Sequence, residues 1–328
     1  MKIAINSKLC LKKRFVKAKC TVCIDICPAK SINEKLEIDN NCINCGLCLS
    51  NCPFEAITGV NYPAKSIQQL IAKEEPIKLI CQKCQSDSMW PCLGFLDPTL
   101  LLAFVFSNKD SNREVIIYQE DCRTCNDNIA QYLTWIVKEA NQLLSPDKKR
   151  IVNSKKRFSG VAPEGNSRRQ FFAQLWGTSV STVQNLVFPS SEDVHPIPRR
   201  NLFMSYGGTQ RISSSICNQT TFKTLVVGEN CNACGVCSKL CGTGAISSVA
   251  EKRGLEIRHK PALCNSCYVC VSQCPQGAIS LRPANSLKED TVGRVKMPVC
   301  TVCGKVYQPL GNTRVCLDCM QKTKILSF

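Results

Sequence analysis

Apolar residues come in short runs along this chain. The longest reads L-L-L-A-F-V-F from Leu100 to Phe106, far below the ~18 residues that a membrane-spanning helix needs. The runs I-K-L-I (Ile77–Ile80) and V-I-I-Y (Val115–Tyr118) read as buried strands. The stretch from Ile129 to Leu144 has apolar residues at helical spacing, with Asn128 as its expected cap. Alternating strand and helix predicts a small α/β unit with its cysteines at strand ends. The L-E-I triplets at Leu36–Ile38 and Leu255–Ile257 read as further strands. Between Ser145 and Ser215, Lys and Arg mix with Pro, Gly and Ser, which predicts exposed loop. Within it, R-R-Q-F-F-A-Q-L-W from Arg168 can form one amphipathic helix, solvated or docked on a partner. The two histidines are too few for a conventional acid–base site, and His259 is expected on a strand surface.

The 328 residues include 26 cysteines, and these dominate the chemistry. Four stretches repeat one another: C-P-A-K-S-I from Cys27, C-P-F-E-A-I from Cys52, C-G-T-G-A-I from Cys241 and C-P-Q-G-A-I from Cys274. Three complete C-x2-C-x2-C runs accompany them: Cys42, Cys45, Cys48; Cys231, Cys234, Cys237; and Cys264, Cys267, Cys270. A fourth run is short of its first member: Cys20, Cys23 and Cys27-Pro28 are in register, but the residue three before Cys20 is Lys17. The start M-K-I-A-I-N-S-K-L-C has no apolar core of a secretory signal. Cysteine pairs at this spacing in a reducing compartment mean metal rather than disulfide, so a cytoplasmic protein is expected.

The repeats pair into two units, and both resemble the two-cluster bacterial-type ferredoxin domain. In that family three closely spaced thiolates hold one face of a cubane, and the cysteine before proline reaches the other cluster. The resemblance implies a [4Fe–4S] cluster on Cys27, Cys42, Cys45 and Cys48. It implies a second on Cys231, Cys234, Cys237 and Cys274, and a third on Cys241, Cys264, Cys267 and Cys270. A fourth would use Cys20, Cys23 and Cys52 with Cys10, the one spare cysteine nearby; a three-iron cluster or a non-cysteine ligand is the alternative. The basic insert from Leu11 to Lys19 would then loop out beside that cluster as a docking or solvated loop.

The middle segment carries Cys81 and Cys84, then P-C-L-G-F-L-D-P with Cys92 ahead of the apolar run, then Cys122 and Cys125. These elements resemble the small iron–sulfur delta subunit of methyl-viologen-reducing hydrogenase. That family implies a [2Fe–2S] cluster on four of the five cysteines and an electron relay between partners; zinc or a redox dithiol is the alternative. At the C-terminus Cys300, Cys303, Cys316 and Cys319 form two C-x2-C knuckles twelve residues apart. They resemble a zinc ribbon, a closed structural site, with rubredoxin-type iron as the alternative. Cys217 has no motif and reads as a small buried residue.

A formal charge of +17 first suggests nucleic acid. Cysteines that bind clusters are thiolates, and a full complement of centres brings the total to about +5. The basic residues therefore read as counter-charge and as docking surface for acidic partners. No phosphate loop, full dinucleotide fingerprint or C-x3-C-x2-C run is present in the sequence. The expectation is an α+β modular protein: a dicluster ferredoxin-like domain over residues 1–62, a small α/β domain over 63–145, a basic linker over 146–222, a second dicluster domain over 223–287 and a zinc ribbon over 288–328. It would relay electrons between a flavoprotein, a hydrogenase or a molybdopterin-type oxidoreductase, with no catalytic site of its own. The alternatives are an Fe–S subunit whose substrate site forms only with partners, and a nucleic-acid-binding Fe–S/zinc protein.

Overall fold

In the computed structural model, residues 3–15, 20–62, 64–72, 76–107, 113–119, 122–144, 151–154, 199–212, 221–252, 254–308 and 313–322 are described. The Arg168 helix, Cys217, His195 and the end of the basic insert lie outside them. The chain divides into two compact units, one of Met1–Gln142 with Pro146–Tyr206 and one of Leu143–Ser145 with Gly207–Phe328. Small sheets and short helices give a mixed α and β architecture in each.

The first unit opens with β1 (Ile3–Ile5), α1 (Leu11–Arg14), α2 (Val22–Asp25), α3 (Leu47–Asn51) and β2 (Ile57–Gly59). Strands β1 and β2 pair antiparallel, Ile3 facing Gly59 and Ile5 facing Ile57. The expected strand at Leu36–Ile38 is a single bridge between Ile32 and Ile38, because Leu36 sits in the left-handed region. Next come α4 (Ala64–Ala72), β3 (Ile77–Leu79), α5 (Pro98–Phe106), β4 (Val115–Tyr118), α6 (Cys122–Cys125), α7 (Asp127–Leu143) and β5 (Ile151–Ser154). Strands β3, β4 and β5 form a parallel sheet in that order. One face of β3 and β4 is buried, with Ile77, Leu79, Val115 and Ile117 nearly inaccessible, while Lys78 on the other face is exposed and Ile116 half-buried. The long apolar run is α5, buried along its whole length. Asp97 caps it by accepting from Leu100 N at 2.7 Å, and Pro98 takes the first turn, where its missing N–H costs nothing. The cap of α7 is Asn126 rather than Asn128: Asn126 Oδ1 accepts from Ile129 N at 3.2 Å.

The segment expected as linker contributes both β5 and α8 (Arg199–Ser205) to this unit. Helix α8 brings Phe203 against Phe106 of α5, ring centroids 6.3 Å apart. The sequence concealed this because the run of Lys and Arg looks solvated, while Arg199 and Phe203 are both buried.

The second unit contains α9 (Gly208–Arg211), β6 (Lys223–Val227), α10 (Val236–Leu240), β7 (Ile246–Glu251), β8 (Gly254–His259), α11 (Val269–Ser272), β9 (Ile279–Pro283), β10 (Asp290–Lys296) and α12 (Leu317–Lys322). Strand β6 pairs β9, and β8 lies between β7 and β10, all antiparallel. Leu225, Cys237, Ile246, Ile257 and Ile279 form the core. His259 is not on the surface: it is 1% exposed, and Nδ1 accepts from Leu225 N at 3.2 Å. Burial holds its imidazole down at about 4, so it is neutral at physiological pH. Among the described residues no helix is long and apolar enough to cross a membrane.

Candidate metal centres

Each complete cysteine run folds in the same way. The second residue after its first cysteine is left-handed: Asn44, Ala233 and Ser266. So is the residue after its second cysteine: Gly46, Gly235 and Tyr268. Left-handed backbone turns the chain tightly enough to aim three thiols at one side. The tails share a device too. The third residue after each of Cys27, Cys52, Cys241 and Cys274 is left-handed: Lys30, Glu55, Gly244 and Gly277. That turn returns an amide to the sulfur. Ser31 N donates to Cys27 Sγ at 3.4 Å, Ala56 N to Cys52 Sγ at 3.3 Å and Ala278 N to Cys274 Sγ at 3.3 Å. Amide bonds to ligand sulfur stabilise the thiolate and raise the potential of a bound cluster. Cys241 instead has Thr243 Oγ1 3.5 Å from its sulfur.

The incomplete run is built differently. Thr21, which follows Cys20, has φ −123°, and α2 follows directly. Cys10 arrives from another direction. Pairing of β1 with β2, extended by Asn6 N donating to Ala56 O at 2.7 Å, holds the turn that ends in Cys10 near the Cys52 tail. Cys10, Cys20, Cys23 and Cys52 line one apolar cavity of about 20 Å³, walled by Ile5, Leu11, Leu36 and Phe54. A second cavity of about 20 Å³ is lined by Cys27, Cys42, Cys45 and Cys48. Burial pushes the Cys23 thiol up to about 11, and Cys52, Cys20 and Cys10 push in the same direction. Burial raises Cys45 to about 12. Thiols so placed ionise only when a metal takes the proton's place.

In the second unit the same grouping is expressed electrostatically. Burial raises Cys231 and Cys237; beyond that, Cys231 is influenced by Cys234 and Cys274, and Cys237 by Cys231 and Cys234. Cys267 is influenced by Cys264 and Cys241. Cys270, raised to about 12 by burial, is influenced by Cys264, Cys267 and Cys241 and then by Cys237 across the unit. Cys48 is influenced by Cys23 in the same way in the first unit.

The middle segment gathers Cys81, Cys84, Cys92, Cys122 and Cys125 around one cavity of about 150 Å³, and Cys45 lines it as well. Cys81 follows β3, and Cys122 opens α6 just beyond β4. Cys81 and Cys84 stand 3.6 Å apart, Sγ to Sγ. Two thiolates on one tetrahedral ion at ~2.3 Å are roughly 3.8 Å apart, so this pair suits a single metal atom. Cys125 is exposed and bonded to the Lys83 ammonium, whose affinity for its proton rises accordingly. At the C-terminus the sulfurs of Cys300, Cys303, Cys316 and Cys319 all lie within 4.8 Å of one another, with Cys303 and Cys316 at 3.7 Å. That donor set fits one tetrahedral ion. Among the described residues no other three cysteines gather so tightly.

Arg199 is a neighbour of the Cys52 loop that spacing could not reveal. Its side chain is 7% exposed. Nη1 donates to Leu49 O at 2.5 Å and Nη2 to Cys52 O at 3.0 Å. Nε lies 3.5 Å from Glu55 Oε1 and 3.3 Å from Asp97 Oδ2. Burial works against its charge, but Asp97 and Glu55 outweigh it and hold the guanidinium protonated. Arg199 thus clasps the Cys52 loop to the cap of α5.

Residues 18–63 match the LdpA Fe–S cluster-binding domain, and residues 257–280 match the 4Fe-4S binding domain. The first match spans Cys20, Cys23, Cys27, Cys42, Cys45, Cys48 and Cys52 but begins after Cys10; the second spans Cys264, Cys267, Cys270 and Cys274. No curated protein matches the chain. The protein carries iron–sulfur binding domains, including one for a [4Fe–4S] cluster, consistent with iron–sulfur electron transfer.

Proposed function

We propose that this protein is a cytoplasmic polyferredoxin that relays electrons between partner oxidoreductases. Four [4Fe–4S] clusters would sit on the four cysteine sets named above, with Cys10 completing the first. A [2Fe–2S] centre would occupy the five-cysteine cavity and Zn²⁺ the ribbon. The observation that carries this reading is the gathering of the first unit's thiols around three separate, largely apolar cavities. Bound clusters supply one-electron redox chemistry. The chain's own work is to offer thiols at fixed spacing, donate amides to sulfur and exclude water. The Cys81–Cys84 pair supports a two-iron centre in the middle cavity, with two of Cys92, Cys122 and Cys125 on the other iron. The resemblance of this segment to the hydrogenase delta subunit belongs to the same proposal, as do flavoprotein, hydrogenase or molybdopterin-type partners.

The test is the metal content of protein purified without oxygen. The expected result is about 18 Fe per chain, a similar amount of acid-labile sulfide and about 1 Zn. About 16 Fe with 2 Zn would make the middle cavity a zinc module. About 17 Fe with a three-iron EPR signal would remove Cys10 from the first cluster.

A further inference from the structure

We propose that Cys45 and the turn from Pro91 to Phe95 form the electron link between the second cubane cavity and the five-cysteine cavity. The inference rests on the iron–sulfur reading above. Cys45 and its neighbour Ile43 line both cavities, so one short piece of chain is the wall between them. Cys92 lines the five-cysteine cavity together with Cys45.

The two loops touch through backbone. A Cβ added to Gly94 would lie 2.5 Å from Cys45 O, and one added to Gly46 would lie 2.9 Å from both N and Cβ of Phe95. Tyr62 Oη donates to Asn44 O at 2.6 Å, with Cys92 O at 3.4 Å, so one hydroxyl serves both loops. Ser50 Oγ donates to Gly94 O at 2.7 Å. Behind the contact, Phe95 packs on Trp90 and Tyr62 with centroids 4.7 and 5.0 Å away. The equivalents of Gly46 show that the loop alone does not require this. At Gly235 the nearest atom to an added Cβ is Ser238 Oγ, 3.9 Å away, and the third position is an exposed tyrosine, Tyr268. Of the two glycine turns, Gly46 and Gly235, the first has a second cysteine-bearing segment among the described residues closed on it. A transfer across this wall moves one electron, oxidising the middle centre and reducing the second cubane from 2+ to 1+, with no proton or ligand exchanged.

The experiment is EPR of the reduced, fully loaded chain with power saturation of the cubane signals. In the native protein one cubane signal should be broadened and relax several-fold faster than in Cys81→Ser, which lacks the middle centre. Gly94→Ala should weaken the interaction while iron content stays unchanged. Identical cubane lines in native and Cys81→Ser chains would overturn the link while leaving the ferredoxin reading intact. Zinc in place of iron in the middle cavity would do the same. Absence of acid-labile sulfide would take down the link and the proposed function together.

Discussion

The two regions that match iron–sulfur binding domains share a cysteine pattern but stand in different frames. In the first unit the run from Cys42 to Cys48 is pressed against the turn at Gly94, and the Cys52 tail is clasped by Arg199. In the second, the hairpin of β7 and β8 is flanked by β10 in one three-stranded sheet. Glu55 shows the difference in one residue. Its equivalents Gly244 and Gly277 take the left-handed turn without strain, whereas Glu55 bears the strain and uses its carboxylate to accept from Arg199 N at 3.1 Å. A cysteine pattern thus fixes where thiols point, and the surrounding residues decide what each loop is tied to.

The largest effect should come from opening the clasp. Arg199→Met leaves the half-buried Glu55 and Asp97 without their cation, a loss of up to about 3 kcal/mol. Denaturant unfolding monitored by cluster absorbance should show the first unit failing earlier while the second keeps its transition. Next, Cys10→Ser should cost one iron per chain and yield a three-iron EPR signal, because three thiolates remain in that cavity. The signals of the second unit should be unchanged. A smaller contrast compares Gly46→Ala with Gly235→Ala. Both incur the left-handed penalty of roughly 1–2 kcal/mol, but only the first meets Phe95, so thermal melting should separate them.

The smallest effect concerns the second unit alone. His259 has a folded pKa near 4, below its unfolded value. The unfolded chain therefore binds the extra proton, and stability falls as pH drops through about 6.5 toward 4. Between pH 7.5 and 5.5 the loss should be about 1 kcal/mol. His259→Gln should flatten that slope in a melting series.

The grouping of thiols was legible because a tight loop can present cysteines to one side only at fixed intervals. The β3 and β4 strands were legible from apolar runs bounded by polar residues. Arg199 was not, since its partners Leu49 and Cys52 lie 150 and 147 residues away in sequence. His259 misled because L-E-I-R-H-K reads as an alternating surface strand, while β8 is the middle strand of three. Asn126 and Asn128 are equally good caps by composition, and only the backbone path chooses between them. Nor does spacing show that Cys45 faces two cavities, because that depends on Gly94 from a different segment.

The separation between Cys52 and Arg199 also sets a clock. A ribosome adds about 5–20 residues per second, so the clasp is synthesised roughly 7–30 s after the loop that it closes. For that interval Glu55 lacks its cation. Only the arrival of α8 brings the guanidinium to the carbonyl of Cys52. The Cys52 loop therefore stays unlatched until a segment made 147 residues later has folded against it.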